Sequence, residues 1–225
     1  MAATADQSPF DAVVFDWGGV ITVPPGPVID RLYREAGVDQ QKLRHRQDQY
    51  REDDPNSHFA RLERGELTLV DYLAWSRDDL PGAELIWDPS SPFFLLPKLK
   101  IVSQVVNRIV ELRTRGFLTG LLTNNLAETW PVVADGLNLD ELFDVVVNSA
   151  FVGMRKPEHR IYLHTVDQLN VPGENVLFLD DNHTNVEAAV ACGLRAIEVS
   201  QPISALHALE PVSYTHLTLP TSDLV

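Results

Sequence analysis

Residues 12–20, with the sequence AVVFDWGGV, constrain the fold more than any other stretch of the chain. The first four residues are apolar and rich in β-formers, which predicts a short buried strand. Asp16 ends this run, and Gly18 and Gly19 follow closely. In an open α/β sheet, ligands bind beyond the carboxyl ends of the strands, and glycines let backbone amides approach an anion. Asp16 therefore lies where a site is expected, although an ordinary turn that begins with Asp has the same pattern.

Strand and helix patterns alternate in the second half of the chain. Strands are predicted at residues 117–122, 144–148, 175–179 and 196–199. Helices are predicted at residues 102–112, at 157–169 with Pro157 in the first position, and at 182–192. This alternation is typical of βαβ units with right-handed crossovers. We therefore predict an α/β fold, a Rossmann-like parallel sheet with helices on both faces.

The segment after the first strand has a helical pattern throughout. The prolines around residues 23–27 predict a break in regular structure, and helices are predicted at residues 28–36, 39–54, 58–64 and 68–80. Thr68 and Asp71 have the spacing of a capping box at the start of the last helix. The predicted domains are a core of residues 10–23 and 97–211 and a small all-helical cap, residues 24–96, inserted after the first strand.

Composition limits the classes of partner. The net charge of −14 argues against nucleic acid or an anionic membrane as a partner. Cys192 is the single cysteine, so an internal disulfide and a cysteine-based zinc cluster are excluded. No apolar run reaches membrane-spanning length, and residues 1–9 show no secretory signal. We expect a cytoplasmic protein, and the sequence leaves its oligomeric state open.

Residues 212–225 are expected to be foreign to the fold. The stretch VSYTHLTLPT at residues 212–221 resembles a translated adapter from sequencing-library preparation and continues no helix or strand period. We therefore expect a non-native tail here, with native sequence ending near Pro211.

Polar side chains that could bind a ligand or take part in catalysis follow the predicted strands or begin a helix: Asp16, Thr123, Asn124, Lys156, Asp180 and Asp181. Since the carboxyl ends of parallel strands share one edge, these residues are expected to converge. Carboxylates without His or Cys suit Mg²⁺, and a hydroxyl, backbone amides and a lysine suit a phosphoryl group. An aspartate beside a divalent cation can form an aspartyl-phosphate. Each feature also has an ordinary explanation, as a helix cap, a surface charge or a turn.

Four motifs together resemble the haloacid dehalogenase (HAD) superfamily over about residues 10–205. They are DWGGV at 16–20, LTN at 122–124, KP at 156–157 and DD at 180–181. The stretches LERGE at 62–66, GMRKPE at 153–158 and FLDDN at 178–182 resemble one branch more closely. That branch holds the bacterial α-D-glucose-1-phosphate phosphatase and the phosphatase domain of soluble epoxide hydrolase.

The resemblance implies a Mg²⁺-dependent phosphatase of a small phosphorylated metabolite, such as a sugar phosphate, acting through an aspartyl-phosphate. Asp16 would be the nucleophile and a metal ligand. Gly18 would offer the metal its backbone carbonyl, and Asp181 would be a second acidic ligand, oriented by Asp180. The phosphoryl group would be held by Thr123, the amide of Asn124 and Lys156. Asn185 would support the site from the next helical turn or lie on the helix surface.

One departure from the family pattern leaves alternatives open. Most phosphatases of the superfamily carry a second aspartate two positions after the first, which protonates the leaving group, and this chain has Gly18 there. Such general-acid help is worth about 10²–10⁴ in rate. A 2-haloacid dehalogenase needs neither metal nor acid, although Asp180 and Asp181 argue against that activity. A protein of this fold with little turnover is the third reading.

Overall fold

The structure, a computed structural model, describes residues 10–49 and 54–209. Its five strands are β1 (Ala12–Phe15), β2 (Leu118–Thr123), β3 (Val145–Asn148), β4 (Val176–Asp180) and β5 (Arg195–Glu198). All are parallel, in the order β3-β2-β1-β4-β5, so that β1 is central. Phe15 is in register with Leu121 and Leu179, which brings the ends of three strands to one level. The predicted parallel α/β fold is confirmed.

Eleven α-helices accompany the sheet in the described residues. They are α1 (Pro25–Glu35), α2 (Gln40–Gln49), α3 (His58–Glu63), α4 (Leu69–Arg77), α5 (Ser103–Thr114), α6 (Trp130–Asp135), α7 (Leu139–Leu142), α8 (Ser149–Val152), α9 (His159–Leu169), α10 (His183–Ala191) and α11 (Pro202–Ala208). The sequence interpretation did not include α6, α7, α8 or α11. The first three are short segments without a clear period, and α11 lies beyond the last predicted strand.

The core has two apolar layers, one on each face of the sheet. Val13 and Phe15 pack on one face with residues of α5, including Ile109. Ala12 and Val14 pack on the other face with α9 and α10. Because successive side chains of a strand point to opposite faces, a strand covered on both sides is a continuous apolar run. This is why AVVF predicted the central strand.

Two predicted boundaries at prolines are wrong. The break expected at residues 23–27 is the start of α1, with Pro25 as its first residue. Prolines are tolerated there because the amides of the first turn have no partner within the helix. Pro157 does not begin a helix: α9 starts at His159, and Glu158 has an extended backbone with φ −63° and ψ 127°. The helix predicted at 68–80 ends earlier, at Arg77.

Residues 25–49 and 54–98 contain helices and turns and no strand. The hydroxyl of Thr68 accepts the amide of Asp71 at 3.1 Å, as the capping pattern predicted. The segments that enter and leave this region run side by side, since Val23 N–H donates to Lys100 O and Val102 N–H donates to Ile21 O, each at 2.9 Å. We propose the boundary between core and cap at these two segments, close to the predicted one.

Residues 212–225, the predicted foreign tail, and residues 50–53 of the second predicted helix lie outside the described residues. Within the described chain, every helix is too short or too polar to cross a membrane.

Candidate active site

Lys156 is buried between two carboxylates at the carboxyl edge of the sheet. Its Nζ lies 2.7 Å from Oδ1 of Asp16 and 2.6 Å from Oδ2 of Asp180. Lys156 is 1% exposed and Asp180 is fully buried. A charge can be removed from water in this way only when it is paired and hydrogen-bonded. The position of Asp16 is set by β4, because its backbone N–H donates to Leu179 O at 2.9 Å.

Asn124 fixes the backbone of Lys156. Its Nδ2 donates to Lys156 O at 2.9 Å, and Lys156 N–H donates to Asn124 Oδ1 at 2.9 Å. The end of β2 is therefore tied to the lysine segment. Thr123, also predicted in the site, is 2% exposed and ends β2 beside Asn148.

Asp180 is held by its own surroundings as well as by Lys156. Asn182 N–H donates to its Oδ1 at 2.8 Å, and Asn185 Nδ2 lies 3.1 and 3.2 Å from its two carboxylate oxygens. Asn185 is 8% exposed, so it is not on the surface of α10. Asp180 thus positions Lys156, a contact that the sequence interpretation did not foresee.

The two glycines after β1 face different surroundings. Gly19 has φ +71°, and a β-carbon there would clash with the carboxylate of Asp181. Both the backbone and the approach of Asp181 therefore require glycine at this position. Gly18 has φ −70° and ψ 132°, which other residues adopt, and a β-carbon there would lie 3.2 Å from Cγ of Pro25.

The acidic residues form a cluster that could hold a metal ion. Asp16, Asp180 and Asp181 each place one carboxylate oxygen within 4.8 Å of the others. Oxygen donors without nitrogen or sulfur are the set that Mg²⁺ prefers.

The electrostatics of the cluster favour added positive charge. Burial raises the pKa of Asp16 to about 7; Lys156 opposes this shift and Asp180 adds to it. Partial desolvation and the charge of Asp180 raise the pKa of Asp181 to about 6. Burial acts against the charge of Lys156, but Asp16 and Asp180 outweigh it and raise its pKa. A divalent cation beside Asp16 and Asp181 would favour their ionised forms.

A cleft of about 740 Å³ lies over this cluster. It is lined by the predicted site residues Asp16, Gly18, Thr123, Asn124, Lys156, Asp181 and Asn185. Residues of α1, α3 and the segment between α4 and α5 also line it. Asp180 does not line the cleft, in keeping with its complete burial.

Sequence reasoning missed an ion pair at the rim of the cleft. Arg155 Nε lies 2.6 Å from Oε2 of Glu63, and both side chains are 9% exposed. Glu63 lies in the stretch LERGE and Arg155 in the stretch GMRKPE. Both stretches supported the family resemblance, but the sequence did not indicate that these two side chains pair. His58, Arg61 and Arg64, charged positions of the same region, do not line the cleft.

A family model described as haloacid dehalogenase-like hydrolase matches residues 10–193. The chain belongs to this family. This HAD-like hydrolase is 30% identical over 209 residues to acyl-CoA dehydrogenase family member 10 of Mus musculus, covering 89% of this chain and 19% of that protein. It is 26% identical over 201 residues to the sesquiterpene phosphatase astK of Aspergillus oryzae, covering 87% of this chain and 92% of that protein.

The HAD-like hydrolase spans about a fifth of the first curated relatives that it matches, 19% of one and 20% of the next. Among solved structures, it is similar to a HAD family enzyme of Bacteroides thetaiotaomicron in complex with magnesium and inorganic phosphate. The TM-score is 0.64 at 18% identity, with 84% of this chain and 93% of that chain covered. At this identity the likeness shows the fold.

Proposed function

We propose that this HAD-like hydrolase is a Mg²⁺-dependent phosphatase that hydrolyses a small phosphomonoester through an aspartyl-phosphate on Asp16. One observation carries the proposal. The carboxylate of Asp16 lines the cleft, with Lys156 Nζ 2.7 Å from one of its oxygens and Asp181 in the same acidic cluster. The relative named a sesquiterpene phosphatase, which the chain covers almost completely, supports the same reaction class.

Asp16, Asp181 and the backbone carbonyl of Gly18 would hold the magnesium ion. Bound there, the ion would offset the negative charge of the phosphoryl oxygens and of the carboxylates.

The residues of the chain have separate roles in this mechanism. A carboxylate oxygen of Asp16 forms a bond to phosphorus while the bond from phosphorus to the leaving oxygen breaks. Lys156, the hydroxyl of Thr123 and the amide of Asn124 stabilise the charge on the transferring group. Asp180 and Asn124 hold Lys156 in place. Water then attacks phosphorus while the bond from phosphorus to the Asp16 oxygen breaks, which releases phosphate and restores the carboxylate of Asp16; the proton of the attacking water passes to solvent.

Gly18 determines how the leaving oxygen acquires its proton. With no side chain at this position, the proton comes from solvent. Esters whose leaving group departs readily, such as aryl and acyl phosphates and sugar 1-phosphates, should therefore react faster than simple alkyl phosphates.

The test measures hydrolysis of p-nitrophenyl phosphate by the purified chain with Mg²⁺ and with a chelator. We expect turnover that the chelator removes and that added Mg²⁺ restores. Chloride release from 2-chloropropionate in the presence of the chelator, without phosphatase activity, would instead indicate the dehalogenase alternative. Absence of both activities would indicate a HAD-fold protein with little turnover.

A further inference from the structure

Tyr162 is the largest of the fully buried side chains in the described part of the chain. It lies on α9, the helix that follows Lys156, and packs in the apolar layer on that face of the sheet. Its hydroxyl reaches the neighbouring helix, where it donates to the backbone O of Asn185 at 2.9 Å. Since a phenylalanine would fill the same space, the hydroxyl needs an explanation beyond apolar packing.

The hydrogen bond from Tyr162 restrains a residue that contacts the site. Asn185 lies in the first turn of α10, a part of a helix that has few internal hydrogen bonds and tends to fray. Its Nδ2 lies 3.1 and 3.2 Å from the two carboxylate oxygens of Asp180. By holding the backbone of Asn185, Tyr162 limits the movement of the amide that contacts Asp180.

These contacts return to the lysine from which α9 extends. Asp180 Oδ2 lies 2.6 Å from Lys156 Nζ, and the backbone continues from Lys156 into α9 and so to Tyr162. Lys156, Asp180, Asn185 and Tyr162 therefore form a closed circuit of side-chain contacts and backbone. Each member is restrained from two sides, so the circuit holds the ammonium group more firmly than a single ion pair would.

An aromatic contact links Tyr162 to Lys156 by a second route. The ring of Tyr162 meets that of Phe178 edge-on, with centroids 5.7 Å apart and an interplanar angle of 76°. The Nζ of Lys156 lies 5.4 Å from the centroid of the same Phe178 ring. Burial and the negative charge of Asp180 both raise the pKa of Tyr162, so its hydroxyl keeps its proton and remains a donor.

We propose that Tyr162 is a positioning residue for phosphoryl transfer. Through Asn185 and Asp180, its hydroxyl fixes the ammonium group of Lys156 where negative charge develops on the transferring phosphoryl group. Tyr162 is fully buried and does not line the cleft, so it acts through these residues without touching the substrate. This inference rests on the proposed phosphatase function.

The first experiment removes the hydroxyl and keeps the ring. Tyr162→Phe should lower kcat for p-nitrophenyl phosphate with Mg²⁺ by about 10-fold, because a small displacement of a charge-stabilising group is costly in rate. KM should change by less than about twofold, since the lost stabilisation belongs to the transition state. Circular dichroism checks the fold. A kcat within twofold of the wild type would overturn the inference and leave the phosphatase function standing.

Thr165→Val is the matched control for the loss of a buried hydroxyl. Thr165 lies on the same helix, is fully buried and donates to Ile161 O within α9 at 2.8 Å. It does not line the cleft. This variant should keep kcat within twofold of the wild type, whatever its effect on thermal stability. Equal losses of kcat in Thr165→Val and Tyr162→Phe would indicate a general packing effect of α9 and would overturn the inference.

A double-mutant cycle tests the route through Asn185. Asn185→Ala removes the amide that contacts Asp180, so the circuit is already broken in this variant. Adding Tyr162→Phe to Asn185→Ala should then change kcat by less than about twofold, because residues that act through one another are not additive. A further 10-fold loss in the double variant would contradict this route.

A spectroscopic experiment does not depend on turnover. Lys42, Lys98 and Lys100, the other lysines of the chain, are exposed, so their ammonium protons exchange rapidly with water. The ¹H–¹⁵N spectrum of the Mg²⁺-loaded chain should therefore show one slowly exchanging ammonium signal, which Lys156→Met removes.

In Tyr162→Phe this signal should exchange at least about fivefold faster, and in Thr165→Val it should keep its wild-type rate. An absent signal in the wild type, or an unchanged rate in Tyr162→Phe, would overturn the positioning role whatever the activity assays show. Faster exchange in Tyr162→Phe without phosphatase activity in the wild type would support the contact circuit and refute only the proposed reaction.

Discussion

The side chain of Asn124 and the backbone of Lys156 form a reciprocal pair of hydrogen bonds, each 2.9 Å long. This pair joins the end of β2 to a segment 32 residues further along the chain. It orients the backbone from which the Lys156 side chain reaches two carboxylates. We therefore expect the position of the ammonium group, and with it the rate of phosphoryl transfer, to depend on Asn124.

Asn124→Ala should lower kcat by about 10-fold to 100-fold, because small displacements of a charge-stabilising group are costly in rate. It should also lower the free energy of unfolding by about 1–3 kcal/mol, since a backbone donor and acceptor lose their partners. Steady-state kinetics and urea unfolding measure the two effects. Asn175→Ala, which removes a solvent-accessible bond to Asp11, is the control and should change neither quantity much. Wild-type kcat in Asn124→Ala would contradict the positioning role.

Asp16→Asn should abolish turnover and leave the fold intact. The amide is nearly isosteric with the carboxylate but does not attack phosphorus. Less than about 1% of the wild-type kcat is expected, in line with the loss of a nucleophile. Circular dichroism checks the fold, and Asp167→Asn, an exposed acid on α9, serves as the control. Retention of more than a few per cent of activity would disprove the assignment of the nucleophile.

Asp181 and Asp180 should respond differently to replacement by alanine. Asp181 lies beside Asp16 in the acidic cluster, so Asp181→Ala should raise the Mg²⁺ concentration for half-maximal activity by 10-fold or more. Asp180→Ala removes a buried partner of Lys156 and should chiefly lower stability, by about 3 kcal/mol. Mg²⁺ titrations and thermal unfolding of both variants separate the effects. Identical Mg²⁺ curves for Asp181→Ala and the wild type would rule out the proposed metal site.

The elements with a strong local signal could be predicted from the sequence. The central strand is apolar on both faces, acids follow β1 and β4, and two glycines follow β1. The convergence of the polar residues followed because the carboxyl ends of parallel strands share one edge. The family that the motifs predicted is confirmed by the family model that matches residues 10–193.

Contacts between distant segments could not be predicted in this way. The choice of Asp180 as a partner of Lys156, and of Glu63 as a partner of Arg155, depends on how the cap and the loops dock. The helix boundaries predicted at Pro25 and Pro157 were wrong because proline is compatible both with the first turn of a helix and with a break in regular structure.

Glu63→Gln should change which substrates the cleft accepts. In the wild type the carboxylate of Glu63, 2.6 Å from Arg155, neutralises the guanidinium charge. In Glu63→Gln this negative charge is gone, so Arg155 presents a net positive charge to the cleft. The ratio of kcat/KM for 2-phosphoglycolate to that for ethyl phosphate should rise at least threefold, since the former carries a second negative charge. Glu66→Gln, which alters an ion pair with Arg64 outside the cleft, should leave the ratio unchanged. Equal ratios in the two variants would contradict charge neutralisation at the rim as a determinant of specificity.

The last prediction concerns Gly18, where the acid of related phosphatases is missing. Its backbone, with φ −70° and ψ 132°, accepts a side chain, and a β-carbon there would press on the ring of Pro25 at 3.2 Å. Gly18→Asp should place a proton donor near the leaving oxygen. The kcat for butyl phosphate, whose alkoxide is a poor leaving group, should then rise about 10-fold or more. The kcat for p-nitrophenyl phosphate should change little, because its phenolate leaves without a proton.

Gly18→Asn separates the acid from its steric cost, because the amide has the same shape and cannot donate a proton to the leaving oxygen in the same way. The ring of Pro25 must shift equally for both variants, so any damage to the cleft lowers both. The rate ratio of butyl phosphate to p-nitrophenyl phosphate in Gly18→Asp, divided by the same ratio in Gly18→Asn, therefore reports on proton donation alone. A quotient near one would mean that position 18 does not face the leaving oxygen, and the slow reaction of alkyl esters would need another cause.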